Sequence, residues 1–251
     1  MPRKKRRSRI QRVILPVVLG LLCIAVLWVV LSVLFSVAPP IHYVTSCSMY
    51  PEYSRADLLF VLPLPPSAPI FGYDGLLSQP QPWIVSYGNQ SVSLNASIST
   101  YCNNRVEQMC RQFYSDPAGF SETNGPVTYV YASCTLGGSD PGPCVSTAEV
   151  GDTSFPTAQK PQAIAYDARV LPAGQAIPII HRAFFGIRDA SGSVFFFTKG
   201  DANPVFDSQA EGYFLLNAAA AANASSVQGV VVAKIPFAGE LLRYLRGIQG
   251  C

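Results

Sequence analysis

From Val13 to Val37 the chain runs through 25 residues without a charged side chain, VILPVVLGLLCIAVLWVVLSVLFSV. Few folds accept such a run. About 20 apolar residues in a helix cross the hydrocarbon core of a bilayer, and a longer run spans with tilt. Pro16 falls in the first turn of that helix, where a missing N–H is tolerated. A cleavable secretory leader has a shorter apolar region, about 7–15 residues, that ends at small residues. Here the run closes on bulky Leu34, Phe35 and Val37 before Pro39 and Pro40, so it is read as a retained membrane anchor. Leu22 before Cys23 argues against lipid attachment at that cysteine, where a small residue is wanted.

Charge orients the anchor. Arg3, Lys4, Lys5, Arg6, Arg7, Arg9 and Arg12 precede the apolar run and no acid does, which places the N-terminus in the cytoplasm by the positive-inside rule. Of 18 basic residues, these 7 leave 11 for the outer part against all 15 acids, a balance of about −4 there. The net +3 therefore averages two unlike regions. A basic cluster that abuts a membrane span is read as a topology signal and not as a nucleic-acid patch, so no nucleic-acid partner is expected.

The outer part reads as extracytoplasmic from its cysteines too. Cys102, Cys110, Cys134 and Cys144 fall in one Gly/Pro-rich segment and predict two disulfides, for which three pairings stand open. Their spacings are not those of a zinc knuckle, and no metal or cofactor is expected. Cys23, Cys47 and Cys251 receive no role. Sequons at Asn89, Asn95 and Asn223 fit the same outer side but add little.

Five segments follow: a basic tail (1–12), the anchor (13–37), a first part of an outer domain (41–87), a Cys-rich insertion (88–162) and a second part (163–251). Strand-like runs at IHYVT, DLLFVL, PWIVSY, VTYVYASC, AIAYDARVL, IPIIHRAFFGI, SVFFFTKG and VQGVVVAKIPF are β-branched and aromatic and bounded by turn formers. Arg188 to Gly192 reads as a hairpin turn. The 63–162 region sustains no helical periodicity. A short helix is expected within the alanine-rich stretch from Phe206 to Asn223, and an amphipathic turn or two from Glu240 to Ile248. The fold class is mainly β: one N-terminal transmembrane helix, then an all-β domain carrying a disulfide-rich insertion.

Three motifs carry chemistry. Ser46-Cys47-Ser48-Met49-Tyr50-Pro51 sits in a polar turn about 10 residues beyond the anchor. A serine hydroxyl needs an adjacent base and donors aimed at the developing oxyanion; Ser46 and the Ser48 N–H are candidates for the latter. His181, in Pro178-Ile179-Ile180-His181-Arg182, is a candidate base; the only other histidine, His42, lies six residues before Ser48 on what reads as the same strand. Thr198 to Asp207, TKGDANPVFD, places Asp201 and Asp207 around a turn, and either carboxylate suits the orientation of a histidine. Each motif alone also fits bland roles: a serine-rich turn, a structural histidine, loop acids, or a fragment of a calcium loop.

Together, S-C-S-M-Y-P…A-D-L-L-F-V, I-I-H-R and F-F-T-K-G-D-A-N-P-V-F-D resemble the serine, histidine and aspartate boxes of signal peptidase I. The type is that of archaea and the endoplasmic reticulum. Gly229 to Phe237 is similar to the closing strand of that family. The match covers about 45 residues in boxes. It implies an all-β signal-peptidase-like catalytic domain, with Ser48 as nucleophile, His181 as base, and Asp207 as third residue with Asp201 in support. It further implies Ser46 at the oxyanion hole and Asp57 as a brace of the serine turn. Cys47 and Ala56 stand where the family usually has glycine, and the Ser48–His181 separation is about three times the short archaeal norm. The implied activity is removal of signal peptides from preproteins after small residues, at the lipid bilayer, with the secretion translocon or accessory subunits as further partners. The implied location is the archaeal plasma membrane or the endoplasmic reticulum. Two rivals are a Ser/Lys enzyme using Lys160, Lys199 or Lys234, and a non-enzymatic cell-surface binding or scaffold protein on the same fold.

Overall fold

The computed structural model describes residues 9–35, 41–79, 81–136, 140–170, 175–210, 222–223, 226–236, 244 and 251. It divides into two units, residues 1–40 and 41–251. The first is one helix, α1 (Arg9–Phe35), whose described side chains, residues 14–30, are all exposed. Among the described residues, no helix is long and apolar enough to cross a membrane. The uncharged run extends past both ends of the stretch whose side chains are described.

The second unit is mainly β and is built on two sheets. The first sheet contains β1 (Ile41–Tyr43), β2 (Leu58–Leu62), β3 (Ile70–Gly72), β10 (Ala163–Val170), β11 (Gln175–Arg188), β12 (Val194–Lys199), β13 (Ala222–Asn223) and β14 (Val227–Ile235). Its order is β1-β2-β14-β10-β11-β12-β13, with β3 parallel to the far end of β11. The second sheet contains β4 (Trp83–Tyr87), β5 (Gln90–Leu94), β6 (Phe120–Asn124), β7 (Val127–Cys134), β8 (Gly142–Val150) and β9 (Thr153–Pro156), in the order β5-β4-β6-β7-β8-β9. Every pairing in this second sheet is antiparallel.

Alternation along β12 explains how the sheets meet. Successive side chains of a strand point to opposite faces. Phe195 and Phe197 join a large core shared with Trp83, Val85, Tyr129 and Tyr131 of the second sheet. Phe196, between them, joins a smaller cluster with Ile164, Tyr166 and Val230. Both faces of β12 are thus covered, and five of its six residues are buried. The turn before it forms as its residues dictate: Asp189 accepts the Ser191 N–H, and Gly192 takes φ +81°.

Several elements lie beyond what hydrophobic pattern shows. Two helices interrupt the segment read as non-helical: α2 (Ile98–Tyr101), capped by the Ser97 hydroxyl, and α3 (Gln108–Ser115), which buries Cys110 and Phe113. The cysteines pair in sequence order, Cys102–Cys110 and Cys134–Cys144, and a third bridge joins Cys47 to Cys251; Cys23 is free and exposed. Of the stretch from Phe206 to Asn223 where a helix is expected, Asp207–Gln209 form a 3₁₀ turn and Ala222–Asn223 form strand β13, while residues 211–221 lie outside the described residues, as does most of the stretch from Glu240 to Ile248.

The long β11 positions the site. Its first half pairs with β10 from Gln175 to Arg182, and its second half pairs with β12 from Arg182 to Arg188. Among the described residues, the β12-side edge of residues 175–181 is therefore unpaired, and His181 stands at the point where β12 departs.

Candidate active site

The serine turn hangs between β1 and β2, which pair antiparallel. Its neck is closed by Val44 N–H to Asp57 O (3.0 Å) and Ala56 N–H to Val44 O (3.1 Å). The buried Asp57 carboxylate accepts the Ser54 N–H at 2.9 Å. Ala56 takes φ +78°, the left-handed region that favours glycine. Within the loop, Tyr50 N–H meets Cys47 O at 3.0 Å and Tyr53 N–H meets Met49 O at 2.9 Å, and Met49 is buried, so the turn is anchored at both ends and in its middle.

This turn docks on the loop that follows β12. The Ala202 N–H donates to Ser48 O at 2.8 Å. Gly200 makes the docking possible: a Cβ there would lie 2.5 Å from Ser48 O and 2.9 Å from His181 Nε2. The glycine of the Lys199-Gly200-Asp201 sequence is thus required by close approach.

Docking brings the three motifs together. Ser48 Oγ lies 2.9 Å from His181 Nε2, and His181 Nδ1 lies 2.7 Å from Asp207 Oδ2. His181 and Asp207 are buried, while Ser48 is partly exposed, so the serine end alone opens to solvent. The same Asp207 oxygen accepts the Thr198 hydroxyl at 2.6 Å and the Tyr166 hydroxyl at 2.8 Å. Three donors converge on one carboxylate oxygen, which supplies what a buried charge requires. With Asp207 accepting at Nδ1, the imidazole carries its proton there and Nε2 is left to accept from Ser48. Ser46 Oγ stands 3.1 Å from Ser48 Oγ.

The other candidates go elsewhere. Asp201 forms a two-pronged pair with Arg182, Nε to Oδ1 at 2.6 Å and a terminal nitrogen to Oδ2 at 3.0 Å, and Arg182 also donates to Pro161 O at 2.7 Å. Burial lowers the Arg182 pKa, but Asp201 outweighs it and holds the guanidinium above its ordinary range. Asp201 therefore fixes the loop at Gly200 and does not touch His181. His42 lies on β1 opposite Leu59. Lys199 is buried and donates to Gly200 O at 3.2 Å, while the Ser48 hydroxyl is met by His181. Cys47 is bonded to Cys251, which removes its thiol from consideration as a nucleophile. The roles of Tyr166 and Arg182 beside the site, and the pairing of Cys47 with Cys251, escape the sequence reading. Thr198 and Arg182 lie inside the quoted aspartate and histidine boxes, but neither was given a part in the site.

Beside Ser48 lies a cleft of about 360 Å³. Val44, Met49 and Leu59 line one side, and Ile177, Ile179 and His181 line the other. Its walls are thus mostly apolar and include the unpaired edge of β11. Among the described residues no cluster of three or more His, Cys, Asp or Glu is placed to hold a metal ion.

No family model matches the chain, and no curated protein matches it.

Proposed function

We propose that this chain is a membrane-anchored serine endopeptidase that removes signal peptides from preproteins after small residues. One observation carries the reading: the continuous chain from Ser48 Oγ through the His181 ring to Asp207, at 2.9 and 2.7 Å, open to solvent only at the serine. His181 takes the Ser48 proton as the hydroxyl attacks the scissile carbonyl. Asp207, held by Thr198 and Tyr166, keeps the imidazole in the accepting tautomer and stabilises the imidazolium. The protonated His181 then donates to the leaving amine, and water releases the acyl-enzyme by the same route. The Ser48 N–H and the Ser46 hydroxyl are the proposed oxyanion donors.

The substrate reading rests on the cleft. An extended peptide laid there adds a strand to the open edge of β11, with backbone bonds fixing it and small apolar pockets selecting small side chains. In this reading residues 13–37 anchor the chain in the bilayer with the basic tail in the cytoplasm, and the outer unit meets cleavage sites near the membrane surface, alone or beside the secretion translocon or accessory subunits. The test is cleavage of a preprotein in liposomes. Wild type cuts after a small residue, and Ser48→Ala and His181→Ala lower the rate by up to about 10⁶-fold. Cleavage that survives in Ser48→Ala overturns the site. Full activity of His181→Ala overturns the mechanism.

A further inference from the structure

The residues flanking Asp207 are bonded to the second sheet. The Phe206 ring packs on Tyr129 at 5.4 Å, and Ser208 Oγ lies 2.9 Å from the Tyr129 hydroxyl. Gln209 is held hardest. Its side-chain amide donates to Glu122 Oε1 at 2.6 Å and to the Tyr131 hydroxyl at 2.9 Å, and its Oε1 accepts the Phe206 N–H at 2.9 Å. Its backbone oxygen accepts the Ser97 hydroxyl at 2.7 Å and the Thr100 hydroxyl at 3.1 Å.

Glu122, on β6, has no exposed surface. It accepts from Gln209 and Tyr131 at Oε1 and from the Ile98 N–H at Oε2, 2.7 Å away. The Ile98 N–H and the Gln209 amide nitrogen are obligate donors, so both carboxyl oxygens of Glu122 are committed as acceptors. Glu122 thereby settles which way the Gln209 amide faces. That orientation aims Gln209 Oε1 at Phe206 N–H and closes the 3₁₀ turn around Asp207. A buried network of this kind is rigid when every member is satisfied and costly when one is not.

We infer that Glu122 and Gln209 are positioning residues for the Ser48–His181–Asp207 relay, which makes the disulfide-stapled second sheet a working part of the catalytic unit. The inference rests on the proposed peptidase reading for its consequence in rate, but its geometry stands without it. Misplacement of a reacting group by about 1 Å costs on the order of a hundredfold in rate, and the Asp207–His181 contact depends on a turn whose neighbours are clamped from the other sheet.

The test compares full-length wild type, Gln209→Ala, Glu122→Gln and the exchanged pair Glu122→Gln/Gln209→Glu, in detergent, with a fluorophosphonate as probe of Ser48. Glutamine at 122 must turn its NH₂ toward one of two obligate donors; the exchanged pair removes that conflict by reversing donor and acceptor across the contact. The expected result is a fall of about ten- to a hundredfold in the maximal labelling rate of both single variants, with unchanged half-saturation, and recovery in the exchanged pair to within about threefold of wild type. The second readout needs no activity. In protein labelled at its two histidines, the low-field proton bonded between His181 and Asp207 weakens in the single variants and returns in the exchanged pair. Should Gln209→Ala not fold, Glu122→Gln carries the same comparison. Single variants that fold, label at the wild-type rate and keep the low-field proton overturn the inference, as does an exchanged pair that restores neither signal. If wild type does not label at Ser48, the peptidase reading fails, and the low-field proton alone decides whether Glu122 and Gln209 position Asp207.

Discussion

Lys199 is the residue in the aspartate box that works against stability. Only 5% exposed, its ammonium has the Gly200 carbonyl at 3.2 Å as partner. Burial pulls its pKa down from 10.5 to about 8, with Asp201 and Asp207 opposing the fall. Between those two values the unfolded chain holds a proton that the folded chain has released, so stability rises with pH across that window. Below about pH 8 the folded state carries the full cost, at most about 3 kcal/mol. Lys199→Met is therefore expected to stabilise the protein at pH 7 and to do so much less at pH 10, as read from denaturant midpoints at the two values. The same side chain, read from sequence, was one of three lysines eligible as a base, and its spacing gave no sign that it would face the Gly200 carbonyl. Ser48, His181 and Asp207, which the structure brings together, were legible because short motifs kept them in recognisable company, whereas Asp201 of the same box pairs with Arg182 instead. Tyr166 was not: it reaches Asp207 from 41 positions away, through a strand pairing that no local pattern encodes.

At the scale of elements, legibility followed burial. Strands with one or both faces in the core, such as β7, β11 and β12, alternate or run apolar and announce themselves. β5 reads QSVSL with four exposed residues, and β6 and β9 read SETN and TSFP in part; such strands exist because neighbours supply their ladders, and polar sequence hides them. The irregular β14 carries a further constraint. The β10–β14 register shifts between Ala165 and Tyr166, beside Gly229, which takes φ +155°. A Cβ there would meet the Leu62 carbonyl and stand 3.1 Å from Pro63 Cα. Gly229→Ala is expected to cost upwards of about 2 kcal/mol, since backbone and not a flexible side chain stands in the way. A lowered thermal midpoint checks it; an unchanged midpoint means that the bulge at β14 relaxes freely.

Across the whole outer unit, the cysteines are the strongest long-range information. Read from sequence, four of them form two bridges and Cys47 and Cys251 have no role. The structure joins Cys47 to Cys251 over a separation of 204 residues, and the bridge ends one position from Ser48. In a chain-entropy model a loop of that length removes about 5 kcal/mol of freedom from the unfolded state. Cys251→Ser is expected to lower the denaturant midpoint by a corresponding amount, and a thiol reductant, which opens all three bridges, to lower that of wild type at least as far; a midpoint unchanged by Cys251→Ser would mean that the bridge does not constrain the unfolded chain. Covalently, everything between Cys47 and Cys251 is a ring, with the other two bridges inside it. A single cut anywhere on that ring opens it without parting it. A molecule nicked there by a protease would migrate as one piece until a thiol is added, and neither half would leave the chain segment that precedes Cys47.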